Sequence, residues 1–412
     1  MLSHFSGVEA AMSASADRAT RLQRARAHIF ATGPLDSGRS LCIANMQYGL
    51  AKLHYLQEQL GLPPDATFIG SPDMTVTRNI NRWESGFSYG GKLCWGDGQV
   101  ELMVLDLKPN ACGMILGGLD QLPDAETVLH HAHQLNQDRM KIDGIKIRWD
   151  FGKSNHFIDI FRVRAIAHQS LPPYAFLIHA AGSELRGENP LGDGLYYDAS
   201  PSLRGRAEVV ETPFGSLHIL TGSQATRYYE YYQWVEAFVR RRRRLAAERI
   251  FGDYRPLHNE THQGLIGPNE MVLGTHPIVE TERILYPLAL RGDLPVYLFR
   301  GTRNLTPEVI ENLGFAQRAR ELGVYERLLH ADILPHGGGY DFPHLARVCR
   351  VLEVSGKRYF EVEFANDRGR KIISNPRSLP FDYRGKQVAL RTMELGLGEL
   401  VAKLIPLYVL KV

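Results

Sequence analysis

Strand-like and helical patterns follow one another irregularly along this chain, and that irregularity limits the folds open to it. Helical periodicity runs over about 15–31, 43–61, 124–138, 224–250 and 306–321. Strand-like runs lie between these stretches. They are "GDGQVELMVLDL" (96–107), "KIDGIKIRWDF" (141–151), "YAFLIHAAG" (174–182), "LPVYLFRG" (294–301) and "KRYFEVEFANDRGRKII" (357–373), with Asp143-Gly144 as a hairpin turn in the second. A doubly wound parallel sheet needs strands and helices in alternation. The pattern therefore predicts an α+β fold, a single large mixed domain with a β-rich core around a cleft. Residues 1–40 read as an N-terminal extension leading into an amphipathic helix, and 41–412 as the main body.

Composition excludes several classes. The chain has 412 residues, enough to bury a large core, and is 44% hydrophobic and 23% charged, as soluble globular proteins are. No apolar run is long enough to cross a bilayer, so no membrane partner is expected. The first residues lack the apolar centre of a secretory signal and carry Glu9 and Asp17, which predicts a cytoplasmic protein. The four cysteines, Cys42, Cys94, Cys112 and Cys349, show no CxxC spacing, so neither a disulfide framework nor a zinc ribbon is indicated.

A net charge of +3 does not by itself point to nucleic acid, but five consecutive arginines, Arg240, Arg241, Arg242, Arg243 and Arg244, stand inside the helical stretch 224–250. Five successive residues spread around more than one helical turn, so they form no single stripe. They are read either as a contact for RNA backbone phosphates or as a solvated or oligomer-facing surface. Tyr228, Tyr229, Tyr231, Tyr232 and Trp234 just before them include core positions.

Candidate chemistry lies where strand-like runs give way to small or polar residues. Cys112 ("KPNACGM"), His156 ("KSNHFID"), His179 ("LIHAAGS"), His258 ("RPLHNETH") and His336 ("LPHGGGY") all occupy such places. There a side chain can point into a cleft while backbone approaches a ligand closely. A thiol and several imidazoles that converge could hold one or two divalent ions, and manganese, iron, zinc and copper all suit such donors. Each histidine alone is equally compatible with a buried ring satisfied by backbone. Gly337, Gly338 and Gly339 free backbone N–H groups to cradle an anion, and a histidine beside such a cradle can act as a nucleophile towards phosphorus. His130 and His133 share one face of a helical stretch and read as exposed.

Taken in order, these elements resemble the RtcB family of GTP-dependent RNA ligases. That family joins a 3′-phosphate or 2′,3′-cyclic phosphate RNA end to a 5′-hydroxyl. "NACG", "SNHFID", "HAAGSELRG", the arginine-bearing helix, His258-Asn259, "HGGGY" and the closing "IPLYVLKV" follow the family's motif order from about residue 71 to the end. The resemblance implies an RtcB-like catalytic domain over 41–412 and a site for two Mn²⁺ ions. Cys112 would bridge them, His156 and His179 would complete one, and His258 would bind the other. It also implies that His336 attacks the α-phosphate of GTP to give a histidine–GMP. Asn155, Asp159 and the Gly337–Gly339 backbone would contact the nucleotide, and Lys411 the guanine. The RNA ends of damaged RNA or tRNA would be the partners.

The chain departs from the pattern at several places, among them two loops without a clear counterpart in "GTHPIVETERI" and "LFRGTRN". The family's metal-binding Asp three residues before the Cys is Pro109, with Asp106 as stand-in; the Arg of the nucleophile motif is Tyr340; and a hairpin-like stretch follows His336. The other readings are a metal-dependent enzyme on nucleotides or RNA ends without guanylylation, and a catalytically silent RNA-binding homologue.

Overall fold

A computed structural model describes residues 17–153, 155–166, 170–366 and 369–411. Residues 1–16 of the expected extension, together with Ser154, residues 167–169, residues 367–368 and Val412, lie outside the described residues.

Eleven strands form one sheet. Across it they run Ile29–Ala31, Thr67–Thr75, Tyr89–Cys94, Glu270–Leu273, Arg255–Gly267, Cys112–Leu119, Tyr174–Ala180, Phe157–Ala165, Gly398–Leu410, Val296–Gly301 and Leu285–Leu288. The first pair is parallel and the pairs flanking the site are antiparallel, so the fold is α+β, as the irregular pattern predicts. The central strands are apolar on both faces because both are covered. Their largest core cluster joins the sheet to the helices Ser37–Gln59 and Gly222–Phe251. A second gathers the short helices of 307–329 and the helix Gln387–Glu394.

The long helix lies very close to the sheet at Gly113. A Cβ there would stand 2.6 Å from Arg243 Nη1, so glycine is what admits the arginine.

Several expectations meet structure directly. Helices occupy 17–27, Ser37–Gln59, Ala125–Gln137 and Gly222–Phe251. The Asp143-Gly144 turn joins Lys141–Ile142 to Ile145–Lys146 with both turn residues at positive φ, the backbone of a type I′ hairpin. Two readings need correction. The run 96–107 is a strand only over Leu102–Val104 and then makes a 3₁₀ turn, Leu105–Leu107. The helical run 306–321 is two helices, Pro307–Asn312 and Ala316–Glu321, parted by Gly314 at φ +66°. The boundary drawn at residue 40 falls inside the Ser37–Gln59 helix, and the Ile29–Ala31 strand before it belongs to the central sheet. Among the described residues no helix is long and apolar enough to cross a membrane.

Candidate metal centre and adjoining cavity

Three neighbouring strands of the sheet each deliver one ligand to the same spot. Cys112 opens the central strand, with Gln263 opposite on one side; His179 pairs with Met114 on the other. The strand carrying His262 bulges between Thr261 and Gln263. Adjacent strands lie about 4.8 Å apart, so residues on one face of three strands converge without any loop having to fold over them.

The Sγ of Cys112 is 3.0 Å from His179 Nε2, which is 3.2 Å from His262 Nε2. The ligand atoms of Cys112, His179 and His262 all lie within 4.8 Å of one another, and all three side chains are buried. His156 reaches the same thiol, with Nε2 at 3.5 Å.

This donor set fits a metal ion. His179 Nδ1 is 3.0 Å from the Asn155 carbonyl, which can only accept, so Nδ1 carries the proton and Nε2 presents a lone pair to the cluster. His262 Nδ1 is buried without a partner, so its Nε2 faces a second Nε2 and a thiol with no donor to spare. An ion about 2.1 Å from nitrogen and about 2.3 Å from sulfur sets ligand atoms on the order of 3–3.6 Å apart, which is the spacing of the Cys112–His179 and His179–His262 pairs. Burial raises the Cys112 thiol, but the imidazoles of His179 and His156 outweigh it and hold it well below the ordinary thiol range. A thiolate is the form that ligates metal. Burial, followed by His336 and His179, pushes His262 well below the usual imidazole range, leaving it neutral as a ligand must be.

The local sequence explains the aim of Cys112. Asn110 Oδ1 accepts from Cys112 N at 3.0 Å, and Lys108 and Ala111 both adopt φ +50°, which turns the chain sharply into the strand. Arg243, fully buried on the long helix, donates to the Ala111 carbonyl at 3.3 Å and to Asn259 Oδ1 at 2.8 Å.

His156 sits in the turn just before its strand rather than within it. Its Nδ1 is 2.9 Å from Asp150 Oδ2, off the line of an ideal hydrogen bond, so the contact is chiefly one of charge. Arg242 meets Asp150 and Glu184, each at 3.0 Å. Burial lowers His156, but Cys112 and Asp150 prevail and raise it to about 10. The chain Arg242–Asp150–His156–Cys112 thus fixes the imidazole from behind.

The arginine run is therefore largely internal. Arg242 and Arg243 are each 1% exposed and do not reach solvent phosphates. Arg240 is bound by Glu236 and Glu260, Arg241 pairs with Asp143 at the surface, and Arg244 is exposed. The expectation of RNA contact by all five does not hold for the buried pair. The helix must pack against the sheet, and two of five successive side chains necessarily point inward.

His258 does not join Cys112. Its ring is buried 4.9 Å from that of His276 and 5.5 Å from Tyr286, and neither of its ring nitrogens has a well-formed hydrogen bond. His262 stands in the place foreseen for it. Asp106 is not a ligand either, because it faces another part of the molecule. Its carboxylate accepts from His218 N at 2.6 Å, from Ser85 Oγ at 3.0 Å and from Tyr197 OH at 3.0 Å. His130 and His133 are exposed on their helix, and His130 meets Gln134 and the ring of His131.

Beside the cluster a cavity of about 300 Å³ is lined by His179, His336, Gly337, Gly338, Gly339, Asn155, Asp159 and Lys411. Every residue that the sequence assigns to a nucleotide thus faces one space. Asp73 anchors the nucleophile candidate. Its Oδ2 accepts from His336 N at 3.0 Å and Gly337 N at 3.2 Å, and lies 2.8 Å from His336 Nδ1. The proton therefore sits on Nδ1 and the Nε2 lone pair is left for chemistry. The His336 ring is 4.4 Å from that of His262, so this histidine adjoins the metal group. Gly339, at φ +66°, lets the loop wrap the carboxylate, since a Cβ would stand 2.3 Å from Asp73 O. Lys411 Nζ donates to the His156 carbonyl at 2.6 Å. Burial, opposed by Lys411, raises Asp159 to about 7.

Sequence reasoning missed His262, Asp73, Asp150 and the cavity-lining Arg291. Compared with models of known protein families and with curated protein sequences, the chain matches none.

Proposed function

We propose that this protein is a metal-dependent RNA ligase of the RtcB type, working through a histidine–GMP intermediate. One observation carries the reading: His336, backed by Asp73, opens into the same cavity as His179 of the metal group and the residues suited to a nucleotide. Bound divalent ions, manganese in this reading, would be held by Cys112, His179 and His262, with His156 beside them, and would neutralise phosphate charge. His336 Nε2 attacks the α-phosphorus of GTP; a P–N bond forms, pyrophosphate leaves, and Asp73 accepts from Nδ1–H to support the developing positive ring. The RNA 3′-phosphate then takes the GMP, and the 5′-hydroxyl displaces GMP to seal the strand. The free thiols of Cys42, Cys94, Cys112 and Cys349 support a reducing, cytoplasmic setting.

Tyr340 favours a second reading. It stands where the family has Arg, its ring 5.2 Å from Tyr383, and a hydroxyl does not neutralise a triphosphate as a guanidinium does. A metal-dependent enzyme on nucleotides or RNA ends without guanylylation would need no such cation.

The test is incubation with Mn²⁺ and GTP labelled at the α-phosphate, with ATP in parallel and His336→Ala as control. Acid-labile label on the wild type alone is expected. Absence of label with either nucleotide, in protein that holds its metal, refutes the ligase mechanism and leaves the second reading.

A further inference from the structure

A second cavity, of about 440 Å³, shares no lining residue with the first. That volume lies within the roughly 300–1,000 Å³ of small-ligand sites. It lies under the three-stranded sheet Leu345–Val354, Lys357–Phe364 and Arg370–Ile373, the hairpin region that departs from the family pattern. The Ser355-Gly356 turn, both residues at positive φ, brings Arg358 to its wall. From the opposite side the Ser37–Gln59 helix supplies Lys52, only 3% exposed.

Both cations lack an anionic partner among the described residues. Lys52 Nζ has three protons to donate, and the one bond it makes there is to the Ser216 carbonyl at 3.2 Å. Arg358 donates to the carbonyls of Trp83 and Glu84, while its Nε is buried without a partner. The carboxylates of the wall are engaged or outlying. Asp106 is held by Ser85, Tyr197 and His218, Glu353 pairs with Arg18, and Glu84 is exposed. Buried charges are ordinarily paired, so the buried Lys52, beside a half-buried Arg358 whose guanidinium lies over Tyr48 without an ion pair among the described residues, indicates an anion in the cavity. Burial, with Arg358 adding to it, outweighs the opposing pull of Asp106 and Glu211 and lowers Lys52 to about 8. The remaining wall suits a flat ring: Tyr197 stacks on His218 with centroids 4.0 Å apart, and Phe214 stands beside them.

We propose that this cavity binds a small phosphate monoester, a mononucleotide in preference to free phosphate, with Lys52 Nζ and the Arg358 guanidinium taking the phosphate. The site is independent of the ligase reading and of the metal group. Calorimetric titration of the full chain with AMP, inorganic phosphate and adenosine tests it. AMP is expected to bind more tightly than phosphate, and adenosine more weakly than AMP. Lys52→Met and Arg358→Gln are each expected to weaken AMP at least tenfold with metal content unchanged. AMP binding that is absent, or equal in wild type and both variants, overturns the proposal. Should the variants fail to fold, diffraction from wild-type crystals soaked in tungstate decides. Density against Lys52 Nζ supports the site, and its absence there refutes it.

Discussion

The Cys112–His179–His262 group and the Gly337–Tyr340 wall face neighbouring space but are held by different means. The metal group hangs on three hydrogen-bonded strands, so its spacing follows from the ladder, and buried arginines brace it from behind. The opposite wall is largely loop: residues 289–292 and 337–339, joined by one isolated bridge between Ala289 and Gly337, with Tyr340 opening the two-residue strand Tyr340–Asp341 beside them. Here Tyr340 packs against Phe381 and Tyr383, with the Arg78 guanidinium 5.9 Å above its ring. Ladder geometry tolerates little change, whereas loops accept substitution. The thiol and imidazoles of the group sit in the central sheet, whereas the wall that carries Tyr340 stands outside it.

The comparison breaks most readily at the ligands. Cys112→Ala is expected to abolish stoichiometric metal, read by elemental analysis, while the circular dichroism spectrum is kept. His262→Ala should weaken metal affinity about 100-fold, whereas His258→Ala should change it less than tenfold, since only the former ring adjoins Cys112. Equal losses from the two histidine variants would place an ion between them and undo the three-strand account.

A slightly smaller effect is expected behind the ligands. Arg242→Gln leaves Asp150 and Glu184 buried without their guanidinium. It should cost about 3–5 kcal/mol in urea unfolding and weaken metal binding roughly 10–100-fold through His156. Arg241→Gln, at a pair half open to water, should stay within about 0.5 kcal/mol. If the two variants proved equally mild, the bracing role of the arginine run would be gone.

How much of this was legible depends on whether it was local. Cys112 opens a strand, and His179 and His336 stand near the close of one, each beside glycine or alanine, a signal confined to a few residues. His262 lies four residues from His258 on the same strand. The pairing register decides which of the two meets Cys112, since His258 lies opposite Leu116 and His262 falls at the level of Cys112, and nothing in "HNETHQG" announces that register. Asp106 is near Cys112 in sequence, but a 3₁₀ turn and two left-handed residues send it to the second cavity. The inward pair of the arginine run escaped because burial is read from apolar periodicity, which charged residues do not show. Asp73 meets His336 and Asp150 meets Arg242 across long sequence separations, and only the assembled fold reveals them.

The last effect belongs to the strand side of the first cavity and is a matter of pH. Asp159, on the Phe157–Ala165 strand and facing that cavity, has one oxygen buried without a partner and a carboxyl raised to about 7 by burial against the opposing pull of Lys411. In the unfolded chain it ionises near 4. Between about pH 4 and pH 7 the folded protein therefore keeps a proton that the unfolded chain has released. Its contribution to stability is complete below pH 4 and is lost as pH rises through 7. The loss is bounded by about 4 kcal/mol, from roughly three pH units at about 1.4 kcal/mol each. Urea unfolding at pH 5 and pH 8 checks this in wild type and Asp159→Asn. The wild type should lose more stability than the variant across that interval, because the amide cannot ionise. Parallel losses would mean that Asp159 is already ionised at pH 5 and compensated by Lys411, which would make this side of the cavity as charge-paired as the surroundings of His156.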